Sequence, residues 1–448
     1  MLTPDTARDL ATRLVELATA AGATAADVML VADSSTSVTV RLGELEDVSR
    51  SEEQEIGLRV FDRQRSASVA SSDLSDEALR SLVERAVAMA REAPEDSFAG
   101  LAPSDLLLRG EVAEVDAFDP GEPDPAALRA RALAAEQAAR GVAGVTNSNG
   151  GSASASASTV ALATSGGFAG AYRASGFGNS ASVVAGEGGA MQRDYAYHSA
   201  RHLADLEPPE EIGRRAGERA VARVGPVKPE PGRYAVLFDP RVASSLLGHF
   251  SGAITGSSIA RGTSFLLGKL GERLFAPGVI IRDNPLRPRG LRSRPFDGEG
   301  LPVRPMDLIA DGVLTSWIAE SASARQLGIA PTGHASRGVS GAPGASPSNL
   351  SLQPGLRSRE QLLAAFPRAI LVTELIGQGV NGVTGDYSRG AAGFLVEGGE
   401  IGRPVAEITV ASNLLDMFAT LEPGSDLEYR QGIDAPTVLV PEMTVAAG

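Results

Sequence analysis

The chain reads as an α+β protein, with an N-terminal helix and strand domain over residues 1–225 and a mixed, strand-rich C-terminal domain over 226–448. Three observations predict this. Its 448 residues exceed one ordinary domain. Stretches of strand and helix character come in blocks and do not alternate strictly, which disfavours a doubly wound sheet. The segment Pro226–Gly232 holds three prolines and is the best boundary.

The elements follow from local pattern. Leu10, Leu14, Leu17 and Ala21 recur at helical steps, and Gly22 ends them. Short strand-like runs come next at Asp27–Val31, Ser37–Leu42, Glu55–Phe61 and Ser66–Ala70. A helix spans Ser75 to Ala93 and stops against Pro94. Asp124 and Pro125 open a third helix as cap and first residue, and Gly141 closes it. The Ser-Ala run after Gly151 has the composition of a flexible linker. Its alternation continues through Val160 and Leu162 towards Tyr172, so strands packed closely against other backbone are predicted, extending to Leu203. Pro209–Val224 is a helix ended by Gly225.

In the second half, Arg233–Phe238 is a strand, and Asp239-Pro240 starts a helix by the same cap logic. Met306–Ile309 and Val313–Ile318 flank Asp311-Gly312, the signature of a tight hairpin. Ala369–Ile376 is a strand, glycine-punctuated strands follow through Val410, and Asn413–Leu421 is a short helix.

Composition excludes several classes. Hydrophobic residues make up 43% and charged residues 21%, enough apolar surface for a large core, so wholesale disorder is excluded. The 51 glycines follow no fixed period, so the chain is not collagen-like. A net charge of −14 with no run of basic residues argues against direct nucleic-acid binding. The arginines of Arg282–Arg294 alternate with Pro and Gly and read as a solvated loop. With no cysteine there is no disulfide, thiolate metal site or thiol catalysis. The first residues lack a basic start and an apolar block, and no apolar run approaches a membrane span of about 18 residues. A cytoplasmic protein without membrane contact is expected.

Three motifs invite chemistry and fail on context. Gly377-Gln-Gly-Val-Asn-Gly382 matches a dinucleotide fingerprint, but the glycine-rich continuation to Gly390 cannot open the helix that would face a pyrophosphate. His198 and His202 would share a helix face, but their surroundings predict a strand, which spreads that spacing to roughly 13 Å. Ser388 sits one residue out of register for a nucleophile elbow, and nothing places His249 or His334 beside it.

Six stretches nevertheless resemble one family in order and spacing. They are Thr263-Ser-Phe-Leu-Leu-Gly-Lys-Leu-Gly271, Pro295-Phe-Asp-Gly-Glu-Gly300, Asp311-Gly-Val-Leu-Thr-Ser-Trp317, Ser323-Ala-Arg-Gln-Leu-Gly328 with Thr332-Gly-His334, Thr373-Glu-Leu-Ile-Gly-Gln-Gly-Val-Asn381, and Val383-Thr-Gly-Asp-Tyr-Ser-Arg-Gly-Ala391. The chain thereby resembles the PmbA/TldE branch of the TldD/PmbA family, with Met191-Gln-Arg-Asp-Tyr195 as a looser match in the first half. The resemblance implies a heteromer of TldD-like and TldE-like chains that acts as a zinc metalloprotease on small or unfolded polypeptides. It also implies that the TldD-like chain carries a His-Glu-x-x-x-His zinc helix and a ligating Cys.

This chain departs from that pattern. Aligned on Leu246-Leu247, the two ligand positions are Gly248 and Ala253, and the Glu position is His249. Neither Gly nor Ala can ligate through its side chain, and without the carboxylate no base is left to activate a zinc-bound water. The expectation is a non-catalytic subunit with no catalytic or metal residue of its own, no cofactor, and zinc supplied by a TldD-like partner. Its assembly would be a homo- or hetero-oligomer. His249, Asp386, Tyr387, Ser388 and Arg389 are the residues expected to meet substrate or partner. Asp386 and Arg389 could instead form an internal ion pair. The segment Gly379–Gly393 could add an extended substrate as a strand. The alternative is a homodimeric peptide-binding or regulatory protein without protease activity.

Overall fold

The computed structural model describes residues 1–447. Helix α1 (Pro4–Ala20) begins where the Thr3 hydroxyl accepts the Thr6 N–H, and it buries Ala7, Ala11, Leu14 and Ala18. Strands β1 (Ala25–Arg41) and β2 (Glu44–Asp62) then form one long antiparallel ribbon, from Ala25 opposite Phe61 to Arg41 opposite Glu44. The short runs expected at Asp27–Val31 and Ser37–Leu42 are thus one strand. The polar residues between them do not break it because β1 pairs on both edges, with β2 and with β4. The acidic first half of β2 is exposed and carries no apolar alternation, which is why pattern located only its second half.

Strand β3 (Arg65–Ser71), helix α2 (Asp76–Glu92) capped by Ser75, and helix α3 (Pro125–Arg140) capped by Asp124 follow. The Ser-Ala run is strand, as expected: β4 (Val145–Thr164) lies between β1 and β5 (Ala169–Ala185). Its small side chains allow close approach, and a Cβ at Gly151 would run into the Ala132 carbonyl of α3. Strand β6 (Gln192–Ala200) completes an antiparallel sheet of order β3-β2-β1-β4-β5-β6. The strands end at Ala200, and Leu203 opens a 3₁₀ turn. Helix α4 (Pro209–Ala222) joins α1, α2 and α3 in covering this sheet.

The second half begins with β7 (Gly232–Phe238) and helix α5 (Pro240–Ala253), whose cap Asp239 accepts the Arg241 N–H. After the short helix α6 (Gly256–Ala260) come β8 (Ile281–Asp283), β9 (Met306–Ala310) and β10 (Val313–Leu314). Asp311 and Gly312 both have positive φ, the backbone that a tight hairpin needs. The second hairpin strand is shorter than expected. Ile318 leaves the hairpin to bridge Thr255, and Trp317 enters the core.

Helix α7 (Ser321–Leu327), the two-residue strands β11 (Ala335–Ser336) and β12 (Gly344–Ala345), β13 (Leu350–Leu352) and helix α8 (Arg359–Leu363) lead to β14 (Arg368–Ile376). Strands β15 (Asp386–Glu397) and β16 (Glu400–Asn413), helix α9 (Leu414–Thr420), β17 (Glu422–Pro423), β18 (Ile433–Asp434) and β19 (Val438–Ala447) finish the chain. The order is β16-β15-β14-β7-β19-β17, and a further β16–β19 pairing closes the first five strands into a barrel. Alternate residues of β7 serve two cores: Val236 and Phe238 pack with α5, whereas Ala235 and Leu237 pack with α8.

The two halves interlock. Asp27 of β1 holds both Arg59 of β2 and Arg337 from the second half, all three buried. A Cβ at Gly57 would overlap the Val339 carbonyl, so the sheet and the segment after β11 touch backbone to backbone.

Candidate functional site

Helix α5 and strand β15 build the candidate site. Leu246, Leu247, Phe250 and Ala253 turn towards the barrel core. Gly248 and Gly252, one helical turn apart, face open space, for a Cβ at either would meet no atom within 4 Å. His249 stands between them, partly buried, and its Nε2 has no hydrogen-bond partner among the described residues. Its ring meets Tyr387 edge-on, with centroids 6.1 Å apart.

Tyr387 is 1% exposed, and its hydroxyl likewise has no partner among the described residues. Burial pushes the phenol pKa up. Arg389 lies two residues along β15, on the same face, and its Nε makes one long hydrogen bond of 3.5 Å to the Ile376 carbonyl. Burial first, and the Arg389 charge second, hold the His249 pKa below its ordinary value, so the imidazole is neutral at neutral pH. The site therefore offers a neutral imidazole, a neutral phenol and one guanidinium. The first two are enclosed, and Arg389, only partly buried, is the group left to donate to a peptide carbonyl or carboxylate.

The structure divides the five expected residues. His249, Tyr387 and Arg389 come together. Asp386 and Ser388 fall on the opposite face of β15, and both are exposed. Asp386 ties a turn: it accepts the Thr384 hydroxyl at 2.6 Å and the Asn413 amide at 3.2 Å, which hold its carboxyl below the usual range. Among the described residues it forms no ion pair with Arg389, so the internal-pair alternative is not what the fold builds. The Ser388 N–H donates to the Gly379 carbonyl at 2.7 Å. No histidine bonds its hydroxyl among the described residues; His334 Nδ1 instead faces Thr332, and its Nε2 lies 3.4 Å from Asp283.

Strand addition is overturned by pairing over Asp386–Gly393, the strand part of the segment Gly379–Gly393. From Asp386 to Gly393, β15 has β16 on one edge, and on the other β14 with a bridge from Val380 to Tyr387. A strand inside a closed barrel has no free edge. The glycine fingerprint at Gly377–Gly382 ends a strand and runs into turns, with no helix opening there. His198 sits on β6 and accepts the Glu207 N–H, whereas His202 faces Asp116, so the two serve different contacts.

The donor set does not fit zinc. Gly248 has no side chain, Ala253 carries a buried methyl, and the one imidazole between them lies in the field of Arg389. Among the described residues no three His, Asp or Glu side chains converge to hold a metal. Sequence reasoning missed Gly252, whose open flank pairs with that of Gly248, and Asn413, which braces the Asp386 turn while capping α9. A helix-cap signal was legible at Asn413; nothing local marks Gly252.

Comparison with known proteins finds family signatures along the chain. Models of the PmbA/TldA metallopeptidase domain 1, central domain and C-terminal domain match residues 26–90, 118–224 and 231–447. Metalloprotease PmbA of Escherichia coli O157:H7 is 39% identical over 94% of this chain and 92% of its own length. A PmbA homolog of Haemophilus influenzae is 35% identical over 96% and 94%. A crystal structure of a candidate modulator of DNA gyrase from Bacteroides thetaiotaomicron superposes with a TM-score of 0.92 at 26% identity, covering 100% of both chains. TldE from Thermococcus kodakarensis shares the fold, with a TM-score of 0.85 at 20% identity, over 97% of this chain and 99% of that one.

Proposed function

The chain belongs to the PmbA/TldD metallopeptidase family, and from that premise we propose that it is the TldE-like subunit of a peptidase whose zinc sits in a partner chain of the TldD type. One observation carries the reading. On α5, where the resemblance puts the family's zinc helix, this chain has Gly248, His249 and Ala253, a set with neither the ligands nor the carboxylate base. The chain then contributes walls and hydrogen-bond donors, and the activated water belongs to the partner. Arg389 orients an extended peptide by its carbonyl or carboxylate groups, and the enclosed, neutral Tyr387 and His249 form the wall behind it without adding charge.

The test is reconstitution. The purified chain alone leaves an unfolded peptide intact and, after dialysis against trace zinc, retains none in stoichiometric amount. Mixed with a TldD-like subunit it supports cleavage, and Arg389→Ala lowers turnover by roughly tenfold, the loss of one charge-assisted hydrogen bond, while thermal unfolding is unchanged. Chelator-resistant cleavage by the single chain, lost in Ser388→Ala, would refute the reading. Equal activity of the partner with or without this chain would favour the binding-protein alternative.

A further inference from the structure

A second cleft, of about 320 Å³, opens where the two halves meet at the start of α5. Its walls come from β6, α4, the Asp239–Arg241 corner and the segment 426–435. His249 lies nine residues further along α5, roughly 13 Å at 1.5 Å per residue, so the cleft is separate from the candidate site.

Nearly every charge in this cleft is already matched. Arg241 holds Asp194 at 2.9 Å, and Arg359 holds Asp239 at 2.9 Å. Arg215 and Arg430 share Glu207 at 3.0 and 2.8 Å. On the opposite wall, Asp426 accepts two bonds from Thr437, Glu428 takes Arg430, and Asp434 accepts the Arg430 and Gln431 N–H groups.

Arg219 is the exception. Among the described residues it has no ion pair, and its guanidinium makes a single hydrogen bond, from Nη1 to the Tyr195 carbonyl at 3.4 Å. A guanidinium has five N–H donors, and those of Arg219 that face the cleft are left for an anion to take from water.

That same bond reports on the strand. Tyr195 gives its carbonyl to Arg219 and its N–H to Asp194, so its backbone points away from β5. By antiparallel alternation the backbone of Tyr197 points to the same side. β6 pairs with β5 alone, so this side is the free edge of the sheet. The Tyr195 and Tyr197 rings stand stacked beside it, 6.2 Å apart and each 44% exposed. His198 accepts the Glu207 N–H on Nδ1, which in the neutral ring leaves the proton on Nε2 as one more donor lining the cleft.

We propose that this cleft binds a carboxylate carried on a short extended peptide, with Arg219 holding the carboxylate and the β6 edge at Tyr197, past the occupied backbone of Tyr195, holding the peptide backbone. The peptide class rests on the function proposed above. The measurement is binding to this chain alone, so the cleft is tested apart from any activity with a partner.

The probe is a fluorescein-labelled octapeptide of alternating Glu and Ala with blocked ends, against the same peptide with Gln for Glu, both read by polarisation. The Glu peptide binds about tenfold tighter, and Arg219→Gln erases that preference while Arg219→Lys keeps part of it. Hydrogen exchange of residues 192–200 in the unaltered chain slows when the Glu peptide is bound, which holds the test open if Arg219→Gln fails to fold. Equal affinity for the two peptides, a preference that survives Arg219→Gln, or no exchange protection in β6 would overturn the proposal. So would displacement of the peptide by an equal concentration of acetate, which would make the cleft a small-anion site.

Discussion

Replacing Tyr387 by Phe separates a structural hydroxyl from a functional one. The hydroxyl is buried without a partner among the described residues, on a side chain 1% exposed. A buried polar atom left unpaired costs about 1–3 kcal/mol. Removing the hydroxyl keeps the ring and its edge contact with His249. The isolated chain should therefore be as stable as before, or up to about 1 kcal/mol more stable, in urea titrations followed by fluorescence. If assembly with the partner opens the site to peptide, the same change removes one hydrogen bond, about 0.5–1.5 kcal/mol, and raises KM by roughly two- to tenfold with kcat little changed. A loss of more than about 1 kcal/mol in the isolated chain would show that the hydroxyl has a structural partner and would refute the reasoning. Unchanged KM with unchanged stability would show the group to be idle.

Other expectations rest on packing and charge. Gly57→Ala forces a Cβ into the Val339 carbonyl and should destabilise by about 3 kcal/mol, whereas Gly248→Ala enters open space on a helix and should stabilise by up to about 1 kcal/mol; thermal melts of both variants check the contrast. Asp27→Asn leaves Arg59 and Arg337 buried without their carboxylate and should cost about 3–5 kcal/mol in urea unfolding. Glu299 is 5% exposed, and burial first, then Asp297, raise its pKa from 4.5 to about 7. Between those values the folded chain binds more protons than the unfolded one, so stability falls as pH rises through this window. At about 1.4 kcal/mol per unit the change is roughly 3 kcal/mol, and Glu299→Gln should flatten it in melts taken from pH 4.5 to 7.5.

The α+β class and most helix starts were legible in the sequence because their causes are local. Ser75, Asp124, Asp239 and Asn413 each satisfy N–H groups two or three residues ahead, a signal confined to one turn. The missing side chain at Gly248 was legible too, since it is a fact of composition. Strand length, free edges and the grouping of site residues were decided elsewhere in the chain. β1 runs unbroken through polar residues because β2 and β4 take up its backbone groups on both sides. Strand β15 has no free edge because β14 and β16 pair with it on either side, while β6 keeps one edge because no strand follows it in the sheet. His249 and Tyr387 meet because α5 and β15 share one core, and Ser388 is turned away by the alternation of the strand that presents Tyr387. Backbone hydrogen bonds between distant segments carry no local pattern, so only the assembled sheet could say which groups were left unpaired.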